Sequence, residues 1–177
     1  MRIFNADGSE AEMCGNGARC IALFKEHGAG YRVQVKIETK AGIIESQISG
    51  KNVKIKLTNP KNIKLDIQVR VNNRNLKVNF IDTGVPHVVI FVEGLDEMHV
   101  DGIGRAIRYH KKFSPRGTNV DFVEVLGKNL IGIRTYERGV EDETLACGTG
   151  TVAAALIFSL KTKTKDSINV QTKSGEV

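Results

Sequence analysis

Two short stretches carry the residue types that could do chemistry: Cys14-Gly15-Asn16-Gly17-Ala18-Arg19 and Cys147-Gly148-Thr149-Gly150-Thr151-Val152. Each is a thiol, then Gly-x-Gly, then a run that predicts a helix. Two glycines directly after a thiol let the backbone turn tightly, and they leave the first amide N–H groups of the following helix without internal acceptors. Such an end attracts anions and favours thiolate. Two thiols so placed suit one kind of reaction. Inverting a carbon next to a carboxylate needs a base on one face and an acid on the other, and a thiolate opposite a thiol supplies both, with roles that swap in the reverse direction. A free thiol ionises near pH ~8.5, so the base needs a downward shift of about one or two units. A helix N-terminus contributes roughly 0.3 to 2 kcal/mol toward that. The greater demand comes from the charge that builds on the carboxylate as carbon loses its proton, which two backbone nests would stabilise by about 2.7–4 kcal/mol per donor.

Other chemistries lack their signatures. There is no Walker loop, no dinucleotide fingerprint, no His/Cys metal spacing and no motif for a pyridoxal lysine, so neither a cofactor nor a metal is expected. The chain of 177 residues suits one domain or two small ones, with 41% hydrophobic and 26% charged residues. A net charge of +6 is spread along the chain without interleaved aromatics, which argues against nucleic-acid binding and for a solvated basic surface that would steer an acidic small molecule. Three cysteines cannot close a disulfide framework, and no signal peptide or membrane-length apolar run appears, so a cytoplasmic protein is expected.

The elements that must position the thiols follow from periodicity. Arg2-Ile3-Phe4 reads as a strand end. Ala18 to His27 has apolar residues at Ala18, Ile21, Ala22 and Phe24, and Gly28 with Gly30 ends this helix. Cys20 falls on a different face from Cys14 and is expected to pack in the core. Val33, Val35 and Ile37, then Val53, Ile55 and Leu57, alternate with polar residues, which predicts antiparallel strands with one dry face, turning at Ala41-Gly42 and Gly50-Lys51. Asn59-Pro60-Lys61-Asn62 interrupts the pattern and sets a boundary between units 1–60 and 61–177. Strands recur at Ile67–Val71, Leu76–Phe80, Val88–Val92, Val120–Val125, Ile131–Thr135 and Ile168–Gln171, with a short helix over Asp101–Tyr109. The helix from Thr149 to Leu160 is apolar on every side and must be enclosed. The fold class expected is α+β: two pseudo-symmetric domains, each a mostly antiparallel curved sheet wrapped around a central helix, with the site in the cleft between them.

The run from Arg2 to Cys20, with Tyr136-Glu137-Arg138-Gly139 and Glu143-Thr144-Leu145-Ala146-Cys147-Gly148-Thr149-Gly150-Thr151, resembles the diaminopimelate epimerases. That resemblance implies cofactor-independent interconversion of LL- and meso-diaminopimelate in lysine and peptidoglycan precursor synthesis, by two similar domains facing across a cleft, in a homodimer. It implies that Cys14 and Cys147 are the acid/base thiols, and that Gly15, Asn16, Gly148 and Thr149 hold the reacting carboxylate. Asn5, Asn119 and Arg138 would bind the distal amino-acid end, Glu137 would contact substrate ammonium, and His87 with Glu137 would tune the thiols. An Arg for the second carboxylate and an acid for the ammonium make chemical sense unaided.

The chain departs from the family in two respects. Val85 stands where the family usually has Asn before Pro86-His87, so one distal hydrogen bond would be lost or replaced. The family's N-terminal strands, with another substrate-binding Asn, have no counterpart before Met1, nor do its closing strands after Val177, so a partial reading frame with an unclosed first domain is expected. Proline racemases share the plan but usually place His after the first Cys-Gly, where this chain has Asn16, and lack Glu137-Arg138. Two further alternatives stand beside the epimerase: a fragment that binds substrate without turning it over, and a redox protein pairing Cys14 with Cys147, against which the missing Cys-x-x-Cys argues.

Overall fold

The computed structural model describes residues 1–5, 7–26, 34–175 and 177. A two-stranded ribbon, β1 (Ile3–Phe4) with β2 (Glu10–Ala11), leads into helix α1 (Gly15–Glu26). Strands β3 (Gln34–Thr39), β4 (Gly42–Ser49) and β5 (Asn52–Lys56) form an antiparallel sheet. Their alternation holds: Ile37, Ile44 and Ile48 are buried and their neighbours exposed. The C-terminal end expected for α1 at His27 to Gly30, and the strand start at Arg32 and Val33, lie outside the described residues.

Residues 57–60 carry no regular structure and lead into a larger sheet. Its strands are β6 (Lys61–Val71), β7 (Arg74–Asp82), β8 (Pro86–Phe91), β9 (Asn119–Gly127), β10 (Leu130–Glu137) and β11 (Asp142–Thr144), paired in that order, with β12 (Asn169–Gln171) also on β10. Pairing is antiparallel except β8 with β9 and β10 with β12. The β6–β7 hairpin turns on Asn72 and Asn73, both with positive φ, which suits a two-residue primed turn. Helix α2 (Val100–Arg108) covers one face of this sheet and α3 (Gly148–Thr162) the other.

The architecture is α+β and mostly sheet, as the periodicity predicts, with three differences. Strands β8 and β9 are buried on both faces over most of their length, because α2 closes the second face; the clusters around Phe122 and around Ile157 lie on opposite sides. Helix α1 turns Ala18 and Ala22 to its sheet and leaves Cys20, Ile21 and Phe24 exposed. Cys20 is therefore not core packing: the small alanines fill the seam, and a residue two places from each points away from it. Helix α3 buries Ala153, Ala154, Ile157 and Phe158 but leaves Leu160 exposed, so its enclosure is partial.

Candidate active site

Both thiols sit one residue before a helix, and the two turns are built alike. The Cys14 carbonyl accepts from the Ala18 N–H at 2.9 Å, and the Cys147 carbonyl accepts from the Thr151 N–H at the same distance. The Gly17 N–H donates to Cys14 Sγ at 3.4 Å. At Cys147 the Gly150 N–H pulls the thiol's pKa down, and the hydroxyl of Thr149 is the sulfur's hydrogen-bond partner. The N–H groups of Gly15, Asn16, Gly148 and Thr149 have no acceptor within their helices. The two turns meet back to back. A Cβ on Gly15 would stand 3.4 Å from Gly148 Cα, and one on Gly148 would stand 3.5 Å from Gly15 Cα. Asn16 Nδ2 donates to the Ala146 carbonyl at 3.2 Å, tying the first turn to the residue before the second thiol.

One cleft of about 500 Å³ holds the rest of the set. Cys14 and Cys147 line it with Gly15, Asn16, Gly148 and Thr149. Asn5, Asn119, Glu137 and Arg138 line it too. Asn5 donates to Ser9 Oγ at 3.0 Å and lies against Gly139, whose φ of 92° and missing side chain make room for it. Asn119 donates to the Pro86 carbonyl at 3.1 Å and accepts the Arg138 N–H at 2.8 Å, fixing the turn that carries Glu137 and Arg138. Val85, at the position singled out above, is also in the wall.

His87 is the one expected residue that does not line the cleft; it is fully buried behind Thr149. Its Nε2 lies 2.9 Å from Thr149 Oγ1, which lies 3.4 Å from Cys147 Sγ. Its Nδ1 lies 2.7 Å from Asp121 Oδ2, and Asp121 Oδ1 accepts from Thr135 Oγ1 at 2.8 Å. The bonds form one directed line. With Nδ1–H donating to Asp121, Nε2 accepts from the Thr149 hydroxyl, whose oxygen accepts from the thiol. Gly150 is required beside it, since a Cβ there would collide with Asp121 Oδ1.

Electrostatics differ from the simple helix-end expectation. Burial above all, and then the negative charges of Glu137 and Asp121, push the Cys147 thiol up, against the weaker downward pull of Thr149 and the Gly150 N–H. Burial likewise raises the Glu137 carboxyl, opposed by the Thr144 hydroxyl, which donates to it at 2.8 Å, and by His87. The helix N-terminus therefore does not by itself ionise Cys147.

Four groups at or behind the cleft were missed: Glu12, Arg116, Asp121 and Thr135. Asp121 left a signal, an acid inside the apolar run Val120 to Val123, where a buried charge demands a partner. Glu12 accepts from both Arg116, at 3.1 Å, and Arg138, and left none.

A family model described as diaminopimelate epimerase matches residues 1–63 and 79–177. The chain is 46% identical to the diaminopimelate epimerase of Aquifex aeolicus, over 98% of this chain and 63% of that protein. It is 47% identical to that of a Hydrogenobaculum species, over 98% of this chain and 64% of that protein. It thus spans somewhat under two thirds of the length of these curated relatives. Among solved structures it resembles a probable proline racemase from Agrobacterium radiobacter, with a TM-score of 0.75, 15% identity and coverage of 99% of this chain and 60% of that one. It also resembles a hydroxyproline epimerase from Agrobacterium vitis, with a TM-score of 0.69, 16% identity and coverage of 95% and 58%. At such identities these two likenesses concern the fold alone.

Proposed function

Because the chain belongs to the diaminopimelate epimerase family, we propose that it inverts one α-carbon of diaminopimelate, interconverting the LL and meso forms by acid/base chemistry between Cys14 and Cys147. The observation that carries this reading is the pair of matched thiol turns, Cys14 before α1 and Cys147 before α3, opening on one cleft.

The step balances without a redox partner. One sulfur, as thiolate, takes the α-proton: an S–H bond forms, the C–H bond breaks, and the electron pair spreads onto the substrate carboxylate. The opposite thiol delivers its proton to the other face and is left as thiolate. One thiol and one thiolate stand at each end of the reaction, exchanged. The carboxylate would rest on the free amides of Gly15 and Asn16 and of Gly148 and Thr149, where developing charge is stabilised most. Glu137 would take the substrate ammonium, and Asn5, Asn119 and Arg138 the distal end.

Cys147 must lose its proton to act as base, and burial opposes that. The line behind it supplies a route. The thiol proton passes to Thr149 Oγ1 as the Thr149 proton passes to His87 Nε2, and Asp121 steadies the imidazolium through Nδ1. His87 and Asp121 are in this account positioning residues that act through Thr149.

The same membership supports a place in lysine biosynthesis, a homodimer and a cytoplasmic location as parts of this proposal. Among the described residues no helix is long and apolar enough to cross a membrane. The proposed units are 1–60 and 61–177, supported by the irregular residues 57–60 between the two larger sheets.

The test is incubation of the chain with LL-diaminopimelate in heavy water. Deuterium at one α-carbon together with formation of the meso isomer is the expected result. Binding without exchange would leave only the substrate-binding fragment.

A further inference from the structure

The cation expected to receive the distal carboxylate is already paired. Arg138 donates through Nη2 to Glu12, and Glu12 gives its other oxygen to Arg116 Nη2 at 3.1 Å. Arg116 Nη1 lies 3.4 Å from Asp82. Glu12, Arg116 and Arg138 all line the cleft. Glu12 stands two residues before Cys14, whereas its partners come from the segment before β9 and the turn after β10, so the pairs cross between the two thiol-bearing parts of the chain. Burial works against ionisation of Glu12, but its own backbone N–H, Arg138 and Arg116 outweigh that and hold it below the usual carboxylate range.

We propose that Glu12 is an internal counter-ion that sets affinity at the distal end: its carboxylate pairs with Arg138, and a ligand bringing its own carboxylate to that end must compete with it for Arg138. This rests on the epimerase reading above. The exchange conserves ion pairs. Before it, Arg138 is paired with Glu12; afterwards Arg138 is paired with the ligand, and Glu12 keeps Arg116, which keeps Asp82. A ligand lacking the distal carboxylate leaves Glu12 in place. Glu12 touches no reacting atom and sets affinity for one end of the ligand, so its removal acts on KM and not on kcat.

Titration calorimetry and deuterium exchange with diaminopimelate test this on the full chain and on Glu12→Gln, Arg116→Gln and the double variant. Glu12→Gln is expected to tighten diaminopimelate by up to about fivefold, the range of a partly exposed ion pair, with kcat unchanged. Norleucine, an amino acid without a distal carboxylate, gains nothing. Arg116→Gln releases Glu12 wholly to Arg138 and weakens diaminopimelate, and that loss disappears in the double variant, a coupling that general destabilisation does not produce. Unchanged or weaker binding in Glu12→Gln overturns the proposal while leaving the epimerase reading intact. Absence of diaminopimelate binding in the parent and all variants overturns both. Binding restored by Glu12→Gln alone supports the proposal.

Discussion

The imidazole of His87 reaches the thiol of Cys147 through the hydroxyl of Thr149, 2.9 Å from Nε2 and 3.4 Å from Sγ. A hydroxyl both donates and accepts, so it can pass a proton along this line. Valine has nearly the same shape and can do neither. Thr149→Val is therefore expected to lower the α-deuterium exchange rate by about 100-fold or more, the scale of lost general acid–base assistance, and Thr149→Ser to retain most of it. Rates in heavy water, with binding measured separately, check this.

Asp121 accepts from two buried donors, His87 Nδ1–H and Thr135 Oγ1–H. Asparagine offers one oxygen and carries no charge, so at most one of the two bonds keeps an oxygen acceptor and neither remains charge-assisted. Asp121→Asn is expected to destabilise the chain by about 1–3 kcal/mol, read as a lower urea midpoint at unchanged m-value. Gly150→Ala, which crowds the same carboxylate, should cost a similar amount, about 1–3 kcal/mol, through overpacking.

Burial raises the Cys147 thiol above its ordinary range, which fixes the sign of a pH effect on folding. The folded chain keeps this proton when the unfolded chain has begun to lose it. Stability is then fully present below the unfolded thiol's pKa of about 8.5 and falls as pH rises above it, by at most about 1.4 kcal/mol per pH unit. Urea midpoints between pH 7 and 10 should show this slope, and Cys147→Ala should reduce it.

Glu137 is also raised by burial, so folding disfavours its charge. That contribution to stability is present below the unfolded glutamate range and lost as pH rises through the folded value. Glu137→Gln keeps an oxygen for the Thr144 hydroxyl and carries no charge. It should raise stability relative to the parent more at pH 7 than at pH 4, while exchange activity falls. Thermal unfolding at the two pH values, beside the exchange rate, checks both signs.

Cys14, Cys147 and the turns after them were legible because Gly-x-Gly behind a thiol is a local pattern with a local cause. The alternating strands were legible for the same reason. Asp121 became meaningful only when parallel pairing of β8 with β9, which sets His87 opposite Asn119 and Val89 opposite Asp121, brought imidazole to carboxylate across 34 residues. Periodicity showed that α1 had an apolar stripe, but not that Ala18 and Ala22 would take the seam while Ile21 and Phe24 stayed outside. Nor could it give the Cys147 thiol its upward shift, since the helix end is written in the nearby residues and the burial is not. The Glu12 pairs with Arg116 and Arg138 join segments more than a hundred residues apart, which leaves nothing to read locally.

If two sulfurs work from opposite faces of a single α-carbon, inversion needs both. LL-to-meso conversion is followed in Cys14→Ala and Cys147→Ala while diaminopimelate binding to each is measured by calorimetry. Both variants are expected to bind the amino acid and neither to produce the opposite isomer. Conversion at the parent rate in either variant would show that one sulfur suffices.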